Sequence, residues 1–410
     1  LTPEVVFADQ RRRLLTATIE VLAEGGYRAV TVRGLSERAG VSTHTFYRQF
    51  ANAADCIGFA SETTMLGALR QMEEARLPTN DWEESFQAVI TSLMQYFANS
   101  PEAAAVVLTE AFDAGPSVRL RLEAVIGTVA HLFAELLGAS PRPITVPRRL
   151  SKGMVAGVLR IARQTSLAGR VDELPKLAPE LSEWVLSLVA PARKAAFRTS
   201  AHARTGASPR READPFPDGR GHRALLAAGD DRDRMIRATV RLAAADGFGN
   251  LTVTRIRRSA GVSRRSFNAN FASVSECFLS SLELVVRSAV TWAKAWAESE
   301  ADRDRRTTRL MTALCAQAAR NGALASLVLV GVLDPGREGL LCRENLLDAG
   351  ATRMGDELAP LMCDQAVALS ASMAAAWEIA ANETAAGRSS NLPALSPLLA
   401  KVVLAPLRSE

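Results

Sequence analysis

The chain has 410 residues, 48% of them hydrophobic but only 5% aromatic, and a formal net charge of +5. That length suits about two to four domains, and no uncharged apolar run reaches the ~18 residues a membrane span requires. Five cysteines (Cys56, Cys277, Cys315, Cys342 and Cys363) form no CxxC pair and are odd in number, which argues against a disulfide framework, while the modest positive charge permits a nucleic-acid partner without demanding one.

The N-terminus, LTPEVVFADQRRRLL, lacks an apolar stretch followed by a cleavage site, so no secretory signal is predicted and a cytoplasmic protein is expected. Leu14, Leu15, Thr18, Ile19 and Leu22 fall on one face of a helix that stops at Gly25-Gly26. Thr31 is placed to cap a short helix running through Arg38, Gly40 breaks it, and Ser42 caps the next. Longer helices are predicted over Asn52–Arg76, Asp81–Asn99, Pro101–Phe112, Ser117–Leu137, Val146–Ala168 and Pro175–Arg198. No alternating pattern reads as a strand, so the fold class is all-α.

The rest of the chain repeats this order. AGVSTHTFYRQFA, Ala39 to Ala51, returns as AGVSRRSFNANFA, Ala260 to Ala272, and the shift of 221 residues is kept from Arg13/Arg234 to FDAG and LDPG at Phe112 and Leu333. AGRVDELPKLAPEL from Ala168 then matches AGRSSNLPALSPLL from Ala386, at a shift of 218. A whole unit of nearly 200 residues is therefore duplicated. Between the copies, Arg198 to Asp230 is rich in Pro, Gly, Arg and Ser without apolar periodicity, and is predicted to be a flexible linker. The expected domains are a first head at 8–52, its helical body at 53–198, the linker at 199–230, a divergent second head at 231–273 and its body at 274–410.

The short repeated stretch reads as a helix-turn-helix. Gly40 tolerates the positive φ at the end of the first short helix, Val41 fills the angle, Ser42 satisfies free amides, and Phe46 and Phe50 turn inward. Thr43, His44, Tyr47 and Arg48 are left facing outward, as on a helix that enters a DNA major groove.

GYRAVTVRGLSERAGVSTHTFYRQF resembles the N-terminal DNA-binding signature of the TetR family of bacterial transcriptional repressors, and GFGNLTVTRIRRSAGVSRRSFNANF resembles it less closely. The resemblance implies two tandem TetR-like units, each a three-helix DNA-binding head followed by a helical ligand-binding and dimerisation body. Its partners would be a double-stranded DNA operator and a small-molecule effector. Because family subunits pair through their last two helices, fusing two of them implies an intrachain pseudodimer with heads about one helical turn, 34–36 Å, apart; a further homodimer is compatible with this.

Carried over by position, Arg33, Thr43, His44 and Tyr47 would read bases, and Thr45 and Gln49 would hold phosphates. The family's usual lysine after the closing aromatic is Ala53 in one copy and Val274 in the other. In the second copy Thr254 replaces Arg33, Asn268 replaces Tyr47, and Arg257 stands where the family prefers a small buried residue, a costly place for an arginine. Against this, Arg255, Arg264 and Arg265 make that head more basic and, with Asn268, are its candidate DNA contacts. An imperfect or asymmetric operator is therefore expected.

Effector-pocket candidates are Trp82, Phe86, Met94, Phe97 and Phe133 in the first body, and Trp292, Trp296, Met311, Met354 and Trp377 in the second. The same spacing equally describes plain core. Histidines 44, 131, 202 and 222 show no metal-ligand spacing, and there is no phosphate-binding glycine loop or GxSxG, so no metal, cofactor or enzymatic activity is expected. The competing reading is a helical ligand-binding or interaction protein whose helix-turn-helix has degenerated.

Overall fold

The computed structural model describes residues 2–76, 81–139, 146–189, 230–358 and 365–408. Among them there are eighteen α-helices, short 3-10 turns and no strand. The first copy supplies α1 (Pro3–Gly25), α2 (Val32–Ala39), α3 (Thr43–Tyr47), α4 (Ala53–Glu74), α5 (Trp82–Asn99), α6 (Pro101–Leu108), α7 (Pro116–Gly138), α8 (Arg148–Leu167) and α9 (Leu174–Val189). The second supplies α10 (Asp231–Asp246), α11 (Val253–Ala260), α12 (Arg264–Asn270), α13 (Val274–Ala297), α14 (Arg303–Arg320), α15 (Gly322–Leu329), α16 (Arg337–Leu358), α17 (Ala366–Ala385) and α18 (Leu392–Leu404). The expected linker lies, except for Asp230, outside the described residues, as do Cys363, the last nine residues of the helix predicted to reach Arg198, His202 and His222.

The first helix begins at Pro3, capped by Thr2, and one predicted helix ends earlier than expected. The helix predicted over Pro101–Phe112 ends at Leu108 and passes into a 3-10 turn, Glu110–Ala114. The cause is tertiary: the Leu108 carbonyl accepts from Arg163 Nε at 2.7 Å, and the Thr109 hydroxyl turns back to the Ala105 carbonyl at 2.6 Å. A side chain from α8 thus satisfies the carbonyl released where the helix stops.

The chain divides into two compact units that are not the two copies: Leu1–Val185 with Val332–Asn382, and Leu186–Gly331 with Glu383–Glu410. The first unit therefore holds most of the first copy together with α16 and nearly all of α17 from the second. Within it, α8 lies close against α17. A Cβ added at Gly157 would sit 2.8 Å from the Ala371 carbonyl oxygen, and one at Gly153 3.1 Å from that of Ala375, so glycine is what allows this approach. Trp184 Nε1 donates to Ser372 Oγ at 2.8 Å in the same seam.

A buried ionic cluster sits beside it. Arg160 donates from Nε to Glu344 Oε2 at 2.9 Å, from Nη2 to Asp348 Oδ1 at 2.6 Å and from Nη1 to the Ser370 carbonyl at 2.7 Å. Arg163 Nη1 takes the other Glu344 oxygen at 2.9 Å, and Arg343 adds a third guanidinium at 3.0 Å. Burial opposes ionisation of Glu344, yet these three cations outweigh it and hold its carboxyl down to about 2. The repeated FDAG and LDPG segments also meet here: Arg119 donates to the Leu333 carbonyl at 2.6 Å, and the Arg337 amide donates to Asp113 at 2.6 Å.

The second unit is built on α10–α15 and α18. In it α14 lies along α18, where Thr312 and Ser396 join their hydroxyls at 3.2 Å.

Candidate nucleic-acid interface

Each unit carries one helix-turn-helix built from the same local chemistry. In the first, Thr31 Oγ1 accepts the Gly34 amide at 3.0 Å and Ser42 Oγ accepts the Thr45 amide at 3.0 Å, so both short helices are capped. Gly40 holds φ at 62° between them. In the second, Thr252 and Ser263 make the same bonds to Arg255 and Ser266 at 3.2 and 3.0 Å, and Gly261 has φ 67°. Leu35, Phe46, Phe50 and Cys56 form one core; Ile256, Phe267, Phe271 and Cys277 form its counterpart. The paired cysteines each lie 3.2 Å from a buried threonine hydroxyl, Thr18 or Thr239, and burial pushes both thiols up to about 11. They are inert packing groups at neutral pH.

Arginines that the motif did not single out brace both heads. Arg11 stacks over Phe50 and Phe59 at 4.6 and 4.4 Å from their centroids, and Arg232, its counterpart, over Phe271 at 5.0 Å. Arg13 ties the turn itself, donating to the Ala39 carbonyl at 2.8 Å. The signal was present in the sequence as an arginine at the same position of both copies.

The outward faces differ. In the first head Thr43, His44 and Tyr47 are exposed, Tyr47 by 61%. Thr45 is half-buried, its hydroxyl 3.0 Å from that of Ser42. Gln49 is also half-buried, and its Nε2 donates inward to the Phe7 carbonyl at 3.4 Å. Arg33 is exposed and paired with Glu37 at 2.7 Å, and Arg38 is paired with Glu24 at 2.7 Å.

In the second head Arg264, Arg265 and Asn268 are exposed at the start and outer side of α12. Arg255 is turned onto its own fold, paired with Asp246 and donating to the Asn250 carbonyl at 2.8 Å. Arg257, where a buried cation would have been costly, is only half-buried, so the backbone accommodates it by letting the side chain reach solvent. From Thr31 to Phe50 one acid, Glu37, offsets three arginines; from Thr252 to Phe271 five arginines have no acid among them.

The effector candidates are dispersed. Phe86, Met94, Phe97 and Phe133 are fully buried, and the Phe86 and Phe133 rings pack edge to face at 5.2 Å; Trp82 is half-buried at the start of α5. In the second copy Met354 and Trp377 belong to the first unit, whereas Trp292, Trp296 and Met311 belong to the second. Trp296 carries the Arg309 guanidinium over its ring at 4.7 Å. Separately, a groove of about 550 Å³ opens in the second unit between α10, the end of α11, α13 and α15, and none of the ten candidates lines it. Among the described residues no cluster of His, Cys, Asp and Glu could hold a metal ion, and no single helix is long and apolar enough to cross a membrane.

A two-headed, all-helical protein whose heads keep one capped core and vary the outward face belongs to the class of helix-turn-helix DNA-binding proteins. The model of bacterial regulatory proteins of the tetR family matches residues 14–57 and again residues 235–280, which are the two heads. The chain thus carries the DNA-binding domain of that family in tandem. It is 25% identical over 178 residues to the HTH-type transcriptional repressor KstR of Rhodococcus jostii (strain RHA1), spanning 40% of this chain and 80% of that protein. KstR of Mycolicibacterium smegmatis (strain ATCC 700084 / mc(2)155) is 45% identical over 42 residues, 10% of this chain and 21% of that protein. Among solved structures, the fatty acid degradation regulator FadR from Bacillus halodurans aligns at 19% identity and a TM-score of 0.40, covering 45% of this chain and 96% of that one.

Proposed function

We propose that the protein is a transcriptional repressor, without catalytic activity, that grips one DNA operator through two unequal heads and is modulated by a small-molecule effector. The carrying observation is that both heads keep the same caps, glycine turn and inward aromatics while their outward faces diverge in charge. Conserving a core needs only folding; keeping two exposed, polar, differently charged reading faces on it fits two different half-sites. The first head would read bases through Arg33, Thr43, His44 and Tyr47, with Arg33 exchanging Glu37 for a guanine edge. The second would bind chiefly through Arg264 and Arg265, with Asn268 beside them. These exposed arginines fit phosphate contacts, which set register more than sequence. Residues 8–52 and 231–273 are the heads in this reading, 53–198 and 274–410 the bodies, and 199–230 the tether.

The copies clasp as a pseudodimer within one chain. Support comes from the seam in which α16 and α17 of the second copy close on α8 of the first through Arg160, Arg163 and Glu344. Selecting bound fragments from random DNA and footprinting them with full-length protein tests the whole reading. It expects a discrete site with two dissimilar half-sites about one helical turn apart, and a steep fall in affinity with salt. A perfect palindrome holding one chain per half-site overturns the pseudodimer; weak, sequence-blind retention overturns specific regulation.

A further inference from the structure

The groove in the second unit has a basic rim and an apolar floor. Arg234, Arg237 and Arg241 stand three and four residues apart along α10, so they share one helix face. Val240, Leu284 and Leu324 lie beneath them. The volume, about 550 Å³, falls within the ~300–1,000 Å³ of small-molecule sites.

The equivalent corner of the first copy carries a different set of charges. There Glu20 and Glu24 on α1 meet Arg38 at the end of α2, at 3.5 and 2.7 Å. In the second copy those positions hold Arg241, Ala245 and Ser259. Both acids and the arginine they bound are gone, and a cation stands in place of a carboxylate. Thr16, Thr63 and Ala103 of the first copy are likewise Arg237, Leu284 and Leu324 in the second. The changes to Arg237 and Arg241 add positive charge to the rim, and those to Leu284 and Leu324 add apolar surface to the floor. Arg234 is partnered by Asp231.

We propose that this groove is the effector site of the second copy, and that its ligand is an organic anion with an apolar tail, whether carboxylate or phosphate monoester. The head engages Arg237 and Arg241, and the tail lies on Val240, Leu284 and Leu324. The groove joins α10 and α11 of the head to α13 and α15 of the body. A molecule wedged there favours one head–body arrangement over another and so acts on the second half-site, as differential affinity requires. The inference rests on the regulatory reading above only for that last consequence; binding is independent of it.

Full-length protein is titrated calorimetrically with decanoate, decyl phosphate and neutral decanol. One or both anions bind at one site per chain, decanol at least tenfold more weakly, and the stronger anion identifies the head group. Arg237→Thr with Arg241→Glu, which restores the first copy's residues, weakens anion binding about a hundredfold, roughly tenfold for each cation. Ala244→Phe fills the groove without changing charge and abolishes binding, while Arg33→Ala on the other head leaves it unchanged. Equal binding of decanol, or of either anion to both groove variants, overturns the site. Gel shifts on the selected operator separate the two readings: an operator bound by a protein that ignores all three probes refutes the groove alone, whereas failure to select any operator refutes the regulatory role while calorimetry still decides the groove.

Discussion

At the scale of single residues, much of each head rests on a few backbone and capping positions. Gly40 and Gly261 occupy the left-handed region, which disfavours a residue with a Cβ, and Ser42 and Ser263 satisfy amides that would otherwise be unpaired. Ser42→Ala is expected to lower the stability of the first head by about 1 kcal/mol, read as earlier urea unfolding and faster amide exchange in α3. Glu344 is a different kind of residue, a buried carboxylate between three guanidiniums. Glu344→Gln leaves those cations under-compensated and is expected to cost on the order of 3 kcal/mol in urea melts at pH 7. Since its folded pKa of about 2 lies below its ordinary 4.5, the wild-type advantage is complete above that ordinary value. It disappears as pH falls from there toward 2. Melts of both proteins across that window check the sign: the difference between them narrows in acid. A gap that stays constant would mean Glu344 contributes through packing rather than charge.

Glycines within helices give a second residue-scale contrast. At Gly157 a Cβ would press on the Ala371 carbonyl oxygen at 2.8 Å, whereas at Gly138 it meets nothing within 4 Å. Gly157→Ala is therefore expected to destabilise by about 1–3 kcal/mol through forced separation of α8 and α17. Gly138→Ala should be neutral or stabilising by up to ~1 kcal/mol. Thermal denaturation of the two variants distinguishes them.

At the scale of elements, the two recognition helices have the same frame and opposite temperaments. α3 displays Thr43, His44 and Tyr47; α12 opens with Arg264 and Arg265. Replacing both arginines with alanine is expected to flatten the dependence of log affinity on log salt by about two, one for each phosphate no longer neutralised. Thr43→Ala with His44→Ala should instead relax sequence preference in one half-site with little change in that slope. Salt titrations on the selected operator measure both. The elements themselves were largely legible, because capping and 3.6-residue periodicity are local. Thr31, Gly40, Ser42 and Asn52 mark boundaries that the structure keeps within a residue or two. The break at Leu108 was not legible, since it depends on Arg163, fifty-five residues away in sequence. The inward turn of Gln49 and the self-pairing of Arg255 were hidden for the same reason: their partners, Phe7 and Asp246, belong to other elements.

At the scale of the whole molecule, duplication has produced a seam whose two sides are no longer alike. By the alignment of the copies, Arg160 corresponds to Glu378 and Glu344 to Glu123. One side therefore pairs Arg160 with Glu344, while the other sets Glu378 near Glu123. Desolvation first, and then Glu378, raise the Glu123 pKa, with Lys152 and Arg119 opposing. Glu378→Arg restores to the second copy the cation kept in the first. It is expected to raise stability near neutral pH by up to ~1 kcal/mol, the scale of an exposed ion pair. The gain should shrink in acid, where Glu123 is protonated and has no charge to pair. A variant no more stable than wild type at neutral pH would show that the like-charge side carries no strain.

The amino-acid sequence by itself determined the helices, their caps, the two heads and the fact of duplication, because each depends on neighbours within a few turns of chain. Only the tertiary structure decided which helices of the two copies share a unit, where the buried charges find partners, and that a basic groove lies in the second copy apart from the aromatic positions. Those outcomes turn on pairings between residues such as Arg163 and Glu344, 181 positions apart. No local periodicity encodes such a pairing; it is fixed when burial makes an unpaired charge too costly to leave.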